Sequence, residues 1–199
     1  HMQRGLLLLL CVGFTFGQIN SVFSIDDFSV SSPSLIIISP DGGVSSPISI
    51  NETVTGAVYK IIGRERDLQL TMTSGSGNLV ATASVTQDDF YVSFPNSASG
   101  YSLLQYDGPD GSMNLNPSGL GKIDFTTFGG YALHTFIRSD LATNVKFSLF
   151  SGSVYNVCNR TLNIPGNNEN TEYYVDFSSF SGACDFTSIG AVEVSVFAS

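Results

Sequence analysis

Carboxylates are the side chains of this sequence that come spaced for chemistry. Three close pairs stand out: Asp26/Asp27, Asp88/Asp89 and Asp107/Asp110. A glycosidase needs two carboxyls facing one another across a sugar. Adjacent residues on an extended chain point to opposite faces, so the first two pairs do not supply that arrangement. A hard cation asks only for converging oxygens. Asp26 and Asp27, early in the chain, and Asp107 and Asp110, in a Gly-rich loop, are therefore the metal-ligand candidates, with Ca2+ as a structural ion. No EF-hand or repeat spacing accompanies them. Asx turns and solubilising loop charge are the heavier competing account of the same residues.

Other catalytic constellations lack their parts. Beyond His1 the chain has one histidine, His134, in an alternating stretch with Leu133 and Thr135 beside it. A lone strand histidine is usually a surface or satisfied core residue. Without a second histidine or a reactive cysteine, Ser-His-Asp, Cys-His and zinc chemistry have no support. The expectation is a protein that is not an enzyme.

Sugar recognition would use exposed aromatic faces beside polar loops. There is no Trp, the residue with the largest stacking surface, but there are eight Tyr. Tyr106, beside the 107–111 loop, is the residue to single out, with Tyr101 and Asp107 as its companions in a ligand-binding set. Most of the remaining Tyr fall in strands and are expected to pack.

Residues 1–17 read as a secretory leader. Arg4 gives a positive start, Leu6 to Val12 form an apolar run too short to span a bilayer, and Thr15 and Gly17 are small residues at the −3 and −1 positions of a cut before Gln18. A buried N-terminal strand or a retained membrane anchor is the competing account. Removal of the leader takes Arg4 with it and moves the formal charge from −9 to −10. An acidic chain with few basic residues argues against nucleic acid and anionic membranes as partners. No later stretch is apolar enough for a transmembrane helix. Of the three cysteines, Cys11 lies in the leader, which leaves Cys158 and Cys184. In an oxidising compartment two cysteines make one disulfide. It would close a loop worth about 3 kcal/mol on the chain-entropy account. Asn51 and Asn159 begin N-glycosylation sequons, Asn-Glu-Thr and Asn-Arg-Thr.

The elements that must position these residues are short strands. Alternation and turn signals predict about eleven, over 22–30, 35–39, 58–63, 67–73, 79–86, 90–94, 101–106, 122–128, 131–138, 143–150 and 154–164, with a closing pair at 173–177 and 192–197. Gly75-Ser76-Gly77-Asn78 between 67–73 and 79–86 predicts a hairpin. No helical periodicity appears. The fold class is all-β, a two-sheet antiparallel β-sandwich or jelly roll filling residues 18–199 as one domain.

Several spaced motifs carry a resemblance. These are Ile25-Asp26-Asp27-Phe28, Gly63-Arg64-Glu65-Arg66, Gln105-Tyr106-Asp107-Gly108, Gly119-Leu120-Gly121, Asp176-Phe177-Ser178-Ser179-Phe180, and Asp185-Phe186-Thr187-Ser188-Ile189-Gly190-Ala191-Val192. Together they resemble secreted bacterial proteins of the PEP-CTERM kind. The two ends are also similar to galactose-binding-like jelly rolls, which include carbohydrate-binding modules. That resemblance implies a glycan or extracellular protein as partner and a structural calcium ion. The cysteine pair and the sequons depart from the bacterial pattern and favour a eukaryotic or free secreted form. The expected function is a non-catalytic, secreted (extracellular) glycoprotein module that binds glycan or another extracellular ligand. The alternative is a structural or adhesive surface protein acting by self-association.

Overall fold

The computed structural model describes residues 6–13, 23–39, 43–57, 60–86, 89–167 and 169–198. The cut before Gln18, Asp88 and most of the turn at 40–43 lie outside them. Strands β1 (Leu6–Gly13), β2 (Phe23–Asp26), β3 (Leu35–Ile38), β6 (Val80–Thr86), β7 (Asp89–Ser93), β9 (Ala132–Ser139) and β12 (Thr171–Asp176) make one seven-stranded sheet. Its order is β12-β9-β1-β7-β6-β3, with β2 also on β1. The second sheet, also seven-stranded, takes β4 (Ile48–Thr55), β5 (Glu65–Gly75), β8 (Ala98–Tyr106), β10 (Thr143–Phe150), β11 (Val157–Ile164), β13 (Ser181–Gly182) and β14 (Ala191–Ala198). Its order is β13-β11-β10-β14-β8-β5-β4. The strand pairs are antiparallel, and the protein is an all-β, two-sheet sandwich. The chain crosses between the sheets again and again, the wrapping of a jelly roll.

Period-two alternation builds the interior. Leu68, Leu70 and Met72 on β5, Leu104 and Tyr106 on β8, Val192 and Val194 on β14, and Val145, Phe147 and Leu149 on β10 are all fully buried. Register aligns them: Phe147 pairs with Val194, Val194 with Leu104, and Leu104 with Leu68. Across the interior lie Ala81, Ala83 and Val85 of β6, Phe90 of β7, and Leu133 and Ile137 of β9, also with no exposure. Burying each large apolar side chain contributes about 1.5–3 kcal/mol.

Several expected elements fold differently. The 67–73 and 79–86 strands do not form a hairpin: β5 pairs with β4 and β8, while β6 pairs with β3 and β7. The Gly75–Asn78 turn carries the chain from one sheet to the other. Likewise the closing pair separates, with β12 in the first sheet and β14 in the second. Where a strand was expected at 58–63, Ile61 makes a single bridge and Ile62–Arg64 form a 3-10 turn. At 122–128 only Ile123 bridges, and Thr127–Gly129 is again a 3-10 turn. Strand β4 was not foreseen, because its Ser, Asn, Glu and Thr content hides the period-two signal of an edge strand.

The apolar run of the expected leader is itself strand β1. All eight of its residues pair with β9, and Leu6 to Leu8 pair also with β7. Export with removal of 1–17 and a strand role for 6–13 make opposite demands on the same residues. Cys158 and Cys184 form the expected disulfide, with Cα atoms 5.1 Å apart, holding the start of the loop before β14 against β11.

Candidate metal centre

The alternation that buries Leu68 and Leu70 turns Glu65 and Asp67 to the outer face of the second sheet. On β8 the same parity puts Gln105 outward beneath the loop that follows it. Asp67 lies directly opposite Gln105, Gln105 opposite Glu193, and Thr53 opposite Asp67, so one polar row crosses β4, β5, β8 and β14. The segment 107–121 folds down over this row. Glu65 Oε1 accepts hydrogen bonds from the backbone N–H groups of Asp110 (3.0 Å) and Gly111 (2.8 Å). Asp107 Oδ2 accepts from Gln105 Nε2 (2.7 Å) and from the Asn116 N–H (2.6 Å). Gly108 (φ 93°) packs against the Gly119 backbone, closing the base of the loop where a Cβ would not fit.

Three carboxylates converge there. Oxygens of Glu65, Asp67 and Asp110 all lie within 4.8 Å of one another. Oxygens on opposite sides of one Ca2+ are about 4.8 Å apart, twice a typical Ca–O distance. Asp67 and Asp107 are 0 % and 1 % exposed, and each keeps one buried carboxylate oxygen, Asp67 Oδ2 and Asp107 Oδ1, with no hydrogen-bond donor among the described residues. A buried carboxylate oxygen without a donor is costly. No ion pair among the described residues reaches Glu65, Asp67, Asp107 or Asp110, so no basic side chain neutralises this group.

Protonation states record that strain. Burial, followed by the charges of Glu65, Asp107 and Asp110, pushes the Asp67 carboxyl up to about 7, against a hydrogen bond from Thr53 that acts the other way. Burial also raises Asp107, opposed by its bonds to Asn116 and Gln105. Glu193, in the same row, is raised by burial as well. An all-carboxylate donor set suits a hard cation, Ca2+ or Mg2+, better than Zn2+, whose sites are built mainly on histidine nitrogen and cysteine sulfur.

Of the expected ligands, the structure brings Asp110 into this group and places Asp107 against its edge. Asp26 goes elsewhere: Oδ1 accepts the Phe28 N–H (2.7 Å), and Oδ2 accepts from Arg66 Nη1 (2.6 Å) and the Tyr106 hydroxyl (3.0 Å). Asp27 Oδ1 accepts the Ser29 N–H in an Asx turn. Tyr106 is not an exposed sugar platform. It is fully buried under Asp26, and burial raises its hydroxyl pKa well above the usual value. Tyr101 is half-buried beside Phe197 and Gln69. Of the sequon residues, Asn51 is exposed on edge strand β4 and Asn159 is half-buried on β11. Sequence reading missed Glu65 and Asp67. The signal was present in two acids at i and i+2 just ahead of an apolar-alternating strand, which places both on its outer face.

The chain matches no protein-family model, and neither a curated protein nor a solved structure is found to be similar to it.

Proposed function

We propose that this chain is a secreted, non-catalytic β-sandwich module that binds glycan or another extracellular ligand, with a calcium ion held by Glu65, Asp67 and Asp110 beside Asp107. The observation that carries the reading is the donorless, buried carboxylate oxygen of Asp67 within the uncompensated group of Glu65, Asp67 and Asp110, with a second such oxygen on Asp107 at its edge. A divalent cation would satisfy the Asp67 oxygen, bring that carboxyl to its ionised form and pin the 107–121 loop to β5 through Asp110. The leader pattern, the disulfide and the two sequons support export and glycosylation of Asn51 and Asn159. The resemblance to galactose-binding-like jelly rolls supports glycan as the ligand class.

Thermal unfolding with EDTA and with added Ca2+ tests the ion. A ligand that binds only the folded state raises its stability by about 2.7 kcal/mol at a hundred times Kd. A broad glycan array in Ca2+ tests the ligand class. An unmoved midpoint sinks the ion, and a blank array sinks the glycan.

Self-association is the second reading. One observation favours it: Ile36 (51 %), Ile38 (70 %) and Val80 (41 %) are exposed side by side on the β3–β6 edge of the first sheet. An unpaired edge strand with exposed apolar side chains invites pairing with another chain. Sedimentation across a concentration series separates the two readings.

A further inference from the structure

Next to the acidic group lies a cleft of about 640 Å3 lined by Thr55, Gly56, Ala57, Arg64 and Pro109. Two ties set its walls. Gly63 packs on Gly108, and Glu65 holds the N–H groups of Asp110 and Gly111, so Pro109 is bracketed against the Arg64 turn from both sides. On the other wall the Gly56 N–H bonds to the Arg64 carbonyl (2.8 Å). Arg64 itself has φ 71°, is exposed, and has no ion-pair partner among the described residues. In a chain of formal charge −9, this guanidinium is the one charged group among the described residues that line the cleft.

We propose that the cleft binds an acidic sugar, with the Arg64 guanidinium taking the carboxylate of a hexuronate. This rests on the module reading above and names its ligand class. The guanidinium fork matches a carboxylate in two parallel hydrogen bonds. The apolar ring of Pro109 offers a surface for the C–H face of the sugar, and the Thr55 hydroxyl offers a hydrogen bond to its hydroxyl groups. Gly56 and Ala57 carry too little side chain to block a ring, and the volume falls in the range of small-ligand sites. The acidic group next door repels an anion until a divalent cation neutralises it, so binding requires Ca2+.

The test is calorimetric titration of the full chain with short oligogalacturonate and with the same oligomer carboxyl-reduced, each in Ca2+ and in EDTA. Arg64→Gln and Arg64→Gly are run beside the wild type, with their thermal midpoints. The expected result is Ca2+-dependent binding of the acidic oligomer alone, weakened about tenfold or more in both variants, as for loss of a hydrogen bond to a charged group. Arg64→Gly relieves the left-handed backbone and should keep or raise the midpoint while losing binding, which excludes a folding defect. Equal binding of the two oligomers, undiminished binding by Arg64→Gln, or no binding at all overturns the proposal. A Ca2+-dependent midpoint in the same samples without oligogalacturonate binding overturns the cleft alone and leaves the calcium site standing.

Discussion

Asp26 and Arg66, forty residues apart, meet in the interior of the sandwich at 2.6 Å, each with no solvent exposure. Arg66 shares the inward parity of Leu68 and Leu70, which drives its guanidinium into the core. Asp26, the Val30 carbonyl and the Phe28 ring receive it there. Burial raises the Asp26 carboxyl, and the Arg66 charge pulls it back. Removing one partner strands the other, so Arg66→Met should destabilise the protein by about 3–5 kcal/mol. Tyr106→Phe, which deletes only the hydroxyl donor to Asp26, should cost about 1 kcal/mol. Urea unfolding of the two variants checks the order.

The calcium reading makes a residue-specific prediction. Asp67→Asn and Asp110→Ala should abolish the Ca2+-dependent rise in melting temperature, and Asp27→Asn should leave it intact. A full shift in Asp67→Asn would remove that residue from the site.

Asp67 also gives the protein a pH dependence in EDTA. A carboxyl raised on folding from 3.8 to about 7 holds its proton more tightly in the folded state. Its contribution is fully present below the unfolded value and is lost as pH rises through about 7. Stability should therefore fall between about pH 4 and pH 7, with Asp107 adding in the same direction. Asp67→Asn should flatten the profile and raise the midpoint at pH 8. Ca2+ should act oppositely, stabilising most above pH 7, where the carboxylates are ionised. Scanning calorimetry from pH 4 to pH 8 reads both slopes.

The place of β1 between β9 and β7 can be tested by deletion. A chain beginning at Gln18 lacks the strand that joins β12-β9 to β7-β6-β3. Amide exchange should quicken in 132–139 and 89–93, and the melting midpoint should fall. Unchanged protection on both strands would mean that the sandwich closes without residues 6–13, as removal of a leader requires.

Loss of the Cys158–Cys184 bridge, by reduction or by Cys158→Ala with Cys184→Ala, should cost about 3 kcal/mol, since it closes a loop with a sequence separation of 26. The urea midpoint measures it. The bridged segment is an edge of the second sheet, where β13 contributes two residues to β11, so fraying should begin there.

Local patterning determined the class of this protein. Alternating Leu, Val and Ile with Ser, Thr and Gly turns permits little but short strands, and β6, β7, β8, β9 and β10 fall close to where alternation places them. The disulfide, too, was legible, because setting Cys11 aside with the expected leader leaves two cysteines and one pairing. Partner choice was not. The Gly75–Asn78 turn fits a hairpin by composition, yet β5 pairs with β8, which lies beyond β6 and β7 in the chain, and β6 joins the opposite sheet. The site shows the same limit. Asp107 and Asp110 stood out by their loop, but Glu65 and Asp67 join them only because antiparallel register sets β5 beside β8 and folds the loop back over both. By their neighbours in sequence, Tyr106 suits a ligand-binding aromatic and Asp26 a metal ligand. Arg66, forty residues away from Asp26, decided otherwise, because a buried guanidinium requires a carboxylate and a donor network around it.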